Sequence, residues 1–420
     1  MHRSRLILTS VLVVTTVLGG CTSGATLGSS GTVTLTTSGS ASGQRVPSTA
    51  GTVTSISPTP VTPDGLVTGT GVDDTTITLG LLVDAGTDRG FSAGVSLWQK
   101  GVNGGGGICG RTVSTVSNGS EPTTTAYPRI ASSTLGLLTA PSTGNAAALD
   151  ARVSADQLPA LTATGSSATL TSTGPVVIAA TWDIQAINVL AYLRSTGRLP
   201  EGSTLGTLTD SSAAATNALA GARWWAQANQ VDVQSRTVGG ASTAWPDVDA
   251  VLVMADASQV QATLDATAAP VQVITDMDGY AGVARPDGRL LVGLPAPAYG
   301  SDNPGAAAVA KAFVATGRTD PGPDLMSGYG VAAAWGRLLT RACTDRTLTR
   351  AGIRAAMTTV GPASVDSLFG PSDPALVVRQ QLPATRVSSV ALADPTAPAG
   401  LRPLIWLQAA PGIADYQPSR

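Results

Sequence analysis

The sequence predicts an α/β fold of two doubly wound, Rossmann-like lobes, and three observations lead there. From Thr75 onward, short β-branched or apolar runs alternate with longer helix-patterned ones. That rhythm argues for parallel strands covered by helices. The alternation comes in two series that divide near Ser195, without the fixed period of a solenoid, and this argues for two lobes. The chain has 420 residues, 43% of them hydrophobic and 12% charged, with a net charge of -2. That is enough for two domains of ordinary size, and no basic patch points to nucleic acid.

In the first series Thr75–Val83 is β-branched and apolar and reads as a strand. Phe91–Asn103 reads as a helix, Thr112–Asn118 as a strand and Thr123–Ser133 as a helix. Leu135–Ala140, Ala160–Ala163 and Val176–Ala180 read as strands, and Asp183–Ser195 as a helix. The second series opens with strand Thr204–Leu208, helix Ala213–Ala228 and strands Asp232–Val238 and Ala250–Met254. Helix Ser258–Thr267, strands Val271–Thr275 and Leu290–Leu294, and helix Gly305–Thr316 follow. Helices Tyr329–Cys343 and Thr349–Thr359 precede a strand-rich tail from Ala375.

Residues 1–20 read as an export signal: Arg3 and Arg5, an apolar run from Leu6 to Leu18, then small residues. The run is too short to span a bilayer core of about 30 Å as a permanent helix. Leu18-Gly19-Gly20-Cys21 resembles the lipobox of bacterial lipoproteins, which implies that Cys21 is lipidated and begins the mature chain. The alternative is an ordinary apolar start with a chance cysteine. Residues 21–72, rich in Ser, Thr, Gly and Pro and nearly free of charge, read as a disordered tether with a reach of about 40 Å.

Export also limits the chemistry. His2 is the only histidine, and the signal carries it away. That excludes Ser-His-Asp and Cys-His catalysis and histidine-ligated zinc. No Gly-x-Ser-x-Gly nucleophile elbow or glycosidase-like carboxylate pair is present, so the chain is not expected to be an enzyme, and no metal or cofactor is expected. Cys109 and Cys343 remain. In an oxidising compartment an even pair suggests a disulfide, with two separate buried thiols as the alternative. Closing so long a loop is worth about 5 kcal/mol at most in the chain-entropy view.

Gly105-Gly106-Gly107-Ile108-Cys109-Gly110 satisfies the dinucleotide pattern G-x-G-x-x-G, but it follows a helix and precedes a strand. A pyrophosphate would find no helix N-terminus there, so a tight turn is the better reading. The segment Asn103 through Gly106-Gly107-Ile108-Cys109-Gly110 resembles the N-x-x-G-G-I-x-G turn of the leucine/isoleucine/valine-binding proteins of ABC transporters. Thr76–Leu82 resembles that family's first strand, Leu158-Pro159-Ala160 the start of a later strand and loop, and Tyr329–Ala332 a late helix. The resemblance covers roughly residues 74–410. It implies a type I periplasmic-binding fold, with two lobes joined by a three-crossover hinge and a ligand in the cleft. Crossings are expected near 181–200, 320–330 and 375–390. Lobe 1 then takes 73–194 and 328–380, and lobe 2 with the hinge return takes 195–327 and 381–420.

Ligands of open parallel sheets sit beyond the carboxyl ends of the strands. Three loops qualify. Pro141-Ser142-Thr143-Gly144-Asn145 and Thr164-Gly165-Ser166-Ser167 offer hydroxyls and backbone N–H groups that suit a carboxylate, although such loops are also ordinary connections. The resemblance implies that Ser142, Thr164 and Ser166 grip the ligand's carboxylate, and Thr143 of the same first loop is a further ligand-binding candidate. The third loop is Asp276-Met277-Asp278-Gly279-Tyr280. There the resemblance implies that Asp276 faces the ligand's ammonium, with Asp278 or a solvated turn as alternatives and Tyr280 as a ring wall or hydroxyl. The loop after Thr204–Leu208 lacks the family's usual aromatic residue, and Arg89 or Asp84 in the charged first loop can reshape the pocket. The expected protein is thus a lipid-anchored solute receptor on the extracytoplasmic face of the cell membrane. It would deliver an amino-acid-like ligand to an ABC permease. The alternative is a sensing or structural envelope lipoprotein with no transport role.

Overall fold

Two parallel-stranded sheets, each covered by helices, make up the protein in its computed structural model, which describes residues 65–418 except 87, 241–243 and 365–366. His2, Cys21, the expected signal and most of the expected tether lie outside the described residues. Packing begins inside the segment read as tether. Leu66 is buried, and β1 (Val67–Thr68) pairs in parallel with Thr347-Leu348.

The first lobe is built on β2 (Thr76–Val83), α1 (Phe91–Gly104), β3 (Thr112–Ser117), α2 (Thr123–Ser133), β4 (Leu137–Ala140), α3 (Thr143–Ala155), β5 (Ala160–Thr162) and β6 (Val176–Val177). Its sheet runs β3-β2-β4-β5-β6, parallel throughout. The glycine-rich turn joins α1 to β3 with no helix start in it. Gly107 has a φ of 78°, and a Cβ there would lie 2.0 Å from the Arg111 carbonyl oxygen, so only glycine fits. Helix α3 is absent from the sequence reading. It is alanine-rich, and only Leu149 and Val153 are buried, so it shows little apolar periodicity.

The chain crosses over into α4 (Trp182–Ser195), β7 (Thr204–Thr209), α5 (Ala213–Ala228), β8 (Asp232–Thr237), β9 (Ala250–Met254), α6 (Ala257–Ala266), β10 (Gln272–Thr275), α7 (Met277–Tyr280) and β11 (Leu290–Leu294). It returns as α8 (Pro304–Val314), α9 (Leu325–Thr344), β12 (Thr347–Leu348) and α10 (Arg350–Thr359), and ends in β13 (Ser388–Ala393) and β14 (Leu401–Gln408). The second sheet runs β14-β13-β11-β10-β9-β7-β8, with β13 and β14 antiparallel additions at one edge.

Two helices sit on the lobe opposite to expectation. α4, read as the end of lobe 1, packs on α5, β11 and β13 of lobe 2, so the first crossing lies just before Trp182. α8, read as lobe 2, puts Ala306, Val309 and Phe313 into the lobe 1 core, so the second crossing lies just after β11 and not at 320–330. The segment Leu376–Gln380, expected as strand, is helical and packs on β6 and α10.

Close helix contact organises lobe 1. At the α1–α9 crossing a Cβ on Gly94 would fall 2.2 Å from the Leu325 carbonyl oxygen, and one on Gly328 would fall 2.0 Å from that of Phe91. Trp335, fully buried, covers Gly136 and donates its indole N–H to the Leu137 carbonyl at 3.0 Å. A disulfide joins Cys109 to Cys343, with the Cα atoms 6.0 Å apart and 234 positions between them in sequence.

A buried polar network crosses the hinge. The Asp183 carboxylate at the start of α4 accepts from the hydroxyls of Ser167, Thr181 and, at 2.9 Å, Tyr416. Asn217 of α5 donates to the Ser167 hydroxyl at 2.8 Å and accepts the Asp183 N–H at 3.1 Å. A lobe 1 loop, two lobe 2 helices and the C-terminal segment are thereby tied to one carboxylate. Buried polar groups persist when they are fully partnered in this way.

Candidate ligand site

The carboxyl ends of β2, β4 and β5 in lobe 1 face those of β10 and β11 in lobe 2 across a cleft. Its inner cavity, about 40 Å³, is lined by Thr139, Thr162 and Thr164 of lobe 1 and by Trp182, Gln185 and Asp276 of lobe 2. A side chamber of about 120 Å³ shares Thr139, Thr164 and Trp182 and adds Thr143, Asp150 and Ser166. A third space, about 260 Å³, carries Asp210, Asp256, Asp276 and Asp278 together with Ser142, Thr143 and Arg89. Its surface is therefore strongly acidic.

Arg89, at the end of the β2–α1 loop, links the lobes. Its Nε donates to Asp324 of lobe 1 at 2.9 Å, and its Nη2 donates to Asp278 of lobe 2 at 3.1 Å. Burial works against the guanidinium charge, but Asp324 and Asp278 outweigh it and hold the Arg89 pKa above its ordinary value. Asp324 is pushed up to about 6 by its own burial, with Arg89 opposing. Asp276 sits at the start of α7, where its side chain accepts the Gly279 N–H at 2.8 Å. Burial first, then the Asp278 charge, push it up to about 7. A buried carboxylate beside a second one gains from any cation that enters.

The predicted residues divide in three. Asp276, Thr164 and Thr143 line the cleft cavities. Ser142 and Ser166 line these spaces too, but local structure uses their side chains. Ser142 gives both its N–H (2.8 Å) and its hydroxyl (2.9 Å) to Asp84, and Asn145 adds a bond of 2.9 Å to the same oxygen. The other Asp84 oxygen takes the Thr123 N–H at 3.1 Å. The loop expected to hold a ligand's carboxylate thus holds one of the chain's own. Burial alone would raise Asp84, but the bonds from Asn145, Ser142 and Thr123 together keep it below the usual carboxylate range. The Ser166 hydroxyl accepts the Ala168 N–H at 3.2 Å and caps a short turn. Tyr280 faces elsewhere: its hydroxyl donates to the Gly400 carbonyl at 2.9 Å, and its ring packs on the lobe 2 core.

Three contributors escaped the sequence reading. Trp182, the first residue of α4, lines both inner cavities. Asp324 precedes α9 with no local signal and meets Arg89 from 235 positions away. Asp150 of α3 lines the side chamber, where burial pushes it up to about 6.

No protein-family model matches the chain, and no curated protein does. Solved structures do. A fatty acid ABC transporter substrate-binding protein from Thermomonospora curvata is similar at a TM-score of 0.74 and 22% identity, over 86% of this chain and 99% of that one. A periplasmic binding protein type 1 from Bordetella pertussis Tohama I aligns at 0.59 and 17%, over 79% and 100%. An ABC transporter substrate-binding protein from Desulfitobacterium hafniense, solved in complex with Leu, aligns at 0.61 and 15%, over 78% and 100%. Each is described as a binding protein. At these identities the likeness establishes the fold.

Proposed function

We propose that this chain, which has the type I periplasmic-binding fold, is an extracytoplasmic solute receptor that closes its lobes on a small, amine-bearing polar ligand and presents it to an ABC-type permease. One observation carries the reading. Asp276 and Asp278 of lobe 2 face Arg89 and Asp324 of lobe 1 across the cleft, and one cation stands among three carboxylates. A ligand ammonium at Asp276 relieves that excess through a charge-assisted hydrogen bond. An amino acid suits the site if its carboxylate competes with Asp278 for Arg89, while Thr164 and Thr143 contact its polar flank. Contacts from both lobes supply the differential affinity that closure requires. The fatty acid, leucine and benzoate named for similar proteins support a small-molecule ligand and leave its class to the cleft's own charges. Attachment through a lipidated Cys21 completes the proposal, and Cys21→Ala should then move the chain from the membrane to the soluble fraction.

A thermal-shift screen of amino acids, amides, polyamines and small acids identifies the ligand, since binding the native state raises the midpoint. Asp276→Asn should then weaken an amine-bearing ligand by about 2 kcal/mol. Calorimetric affinity unchanged in that variant would sink the assignment.

A further inference from the structure

We propose that a second cavity, wholly within lobe 1 and sharing no lining residue with the cleft, binds a small apolar monocarboxylate. It measures about 250 Å³ and lies between α8, α9 and the loop after α10. An apolar cavity of about 150 Å³ already takes up a benzene-sized guest. Val309 of α8 and Leu368 and Phe369 of the loop form its apolar walls. The Phe369 ring lies directly on Gly330, where a Cβ would come within 2.6 Å of the ring.

The polar groups give the cavity its ligand class. Tyr329, Ala333 and Arg337 follow one another at four-residue spacing on α9 and so form one stripe along the cavity. The backbone positions of Tyr329 and Arg337 are about 12 Å apart along the helix axis at about 1.5 Å of rise per residue. Ala333, between them, leaves an apolar floor. Arg337 gives Nη2 to the Gly361 carbonyl, and among the described residues it has no carboxylate within ion-pair distance and no partner for Nε or Nη1. Its burial draws its pKa below the ordinary guanidinium value, with only partial compensation from Asp373. The Tyr329 hydroxyl has no hydrogen-bond partner among the described residues, and burial raises its pKa. The Ser372 hydroxyl, by contrast, is given to the Ile178 carbonyl. A half-buried cation with free donors, set at one end of an apolar cavity, matches a carboxylate on an apolar body. It does not match an amine, which Arg337 would repel. The site thus selects the opposite head group from the cleft and stands independently of the function proposed there.

Hexanoate, hexanol and hexylamine share one body and differ in head group, and calorimetry on the full chain reads the difference. Hexanoate should bind about tenfold more tightly than hexanol, with hexylamine weakest. Ala333→Leu, which fills the floor, should abolish binding of all three. Arg337→Gln should erase the advantage of hexanoate while hexanol binding persists, and it decides the matter if Ala333→Leu does not fold. Asp276→Asn should leave hexanoate binding intact. The proposal is overturned if none of the three binds, if hexanoate gains nothing over hexanol, or if hexanoate binding survives Ala333→Leu but is lost in Asp276→Asn. The last result would place the acid in the cleft.

Discussion

Asp276, which lines the cleft, and Asp84, which anchors one of its loops, are two carboxylates in opposite environments. Asp276 is held near 7 by burial and by Asp278, so its folded pKa lies above the unfolded value of about 4. A raised carboxylate contributes stability that is fully present below the unfolded pKa and is lost as pH rises through the folded one. Denaturant melts should therefore show Asp276→Asn gaining on the wild type as pH rises from about 4 to about 7. Amine affinity should run the other way and strengthen over the same upward titration, because only the ionised carboxylate attracts the ammonium. Asp84 is depressed, and its bonds fix the start of α3, so Asp84→Ala should cost about 3 kcal/mol in a urea melt. The position of Asp276 was legible because it follows a strand that any parallel sheet would expose at its carboxyl end. The occupation of Ser142 was not, since its partner lies 58 positions away and nothing in the loop announces it.

The helices show what periodicity reveals and what it leaves open. An apolar stripe on a segment such as Pro304–Val314 predicts that the helix covers a sheet, but not which sheet. α4 and α8 were therefore assigned to the wrong lobes while their boundaries were nearly right. Strands were easier, because β-branched runs such as Thr76–Val83 have few other structures available. Glycines separate local from tertiary demands within a single helix. On Gly101 of α1 a Cβ would meet nothing within 4 Å, so Gly101→Ala should stabilise by about 0.5–1 kcal/mol through the unfolded state. Gly328→Ala drives a methyl into the α1 backbone and should destabilise by more than about 2 kcal/mol. Thermal or urea melts of the two variants should move in opposite directions.

For the molecule as a whole, Arg89 is the charged link between the lobes. Removing it leaves Asp276 and Asp278 facing Asp324 with no cation between them. Arg89→Ala should therefore shift the population toward open forms, and small-angle X-ray scattering should record a larger radius of gyration. An unchanged radius would show that the hinge network around Asp183 alone sets the lobe arrangement.

The Cys109–Cys343 bridge has a consequence of a different kind. The span it closes contains β7 to β11 and the helices among them, so most of lobe 2 is an excursion from a ring sealed within lobe 1. A protease that cuts once in any surface loop of that excursion opens the ring without releasing a fragment. The severed halves stay covalently joined, each still packed in its sheet, and they separate on a gel only after a reductant is added.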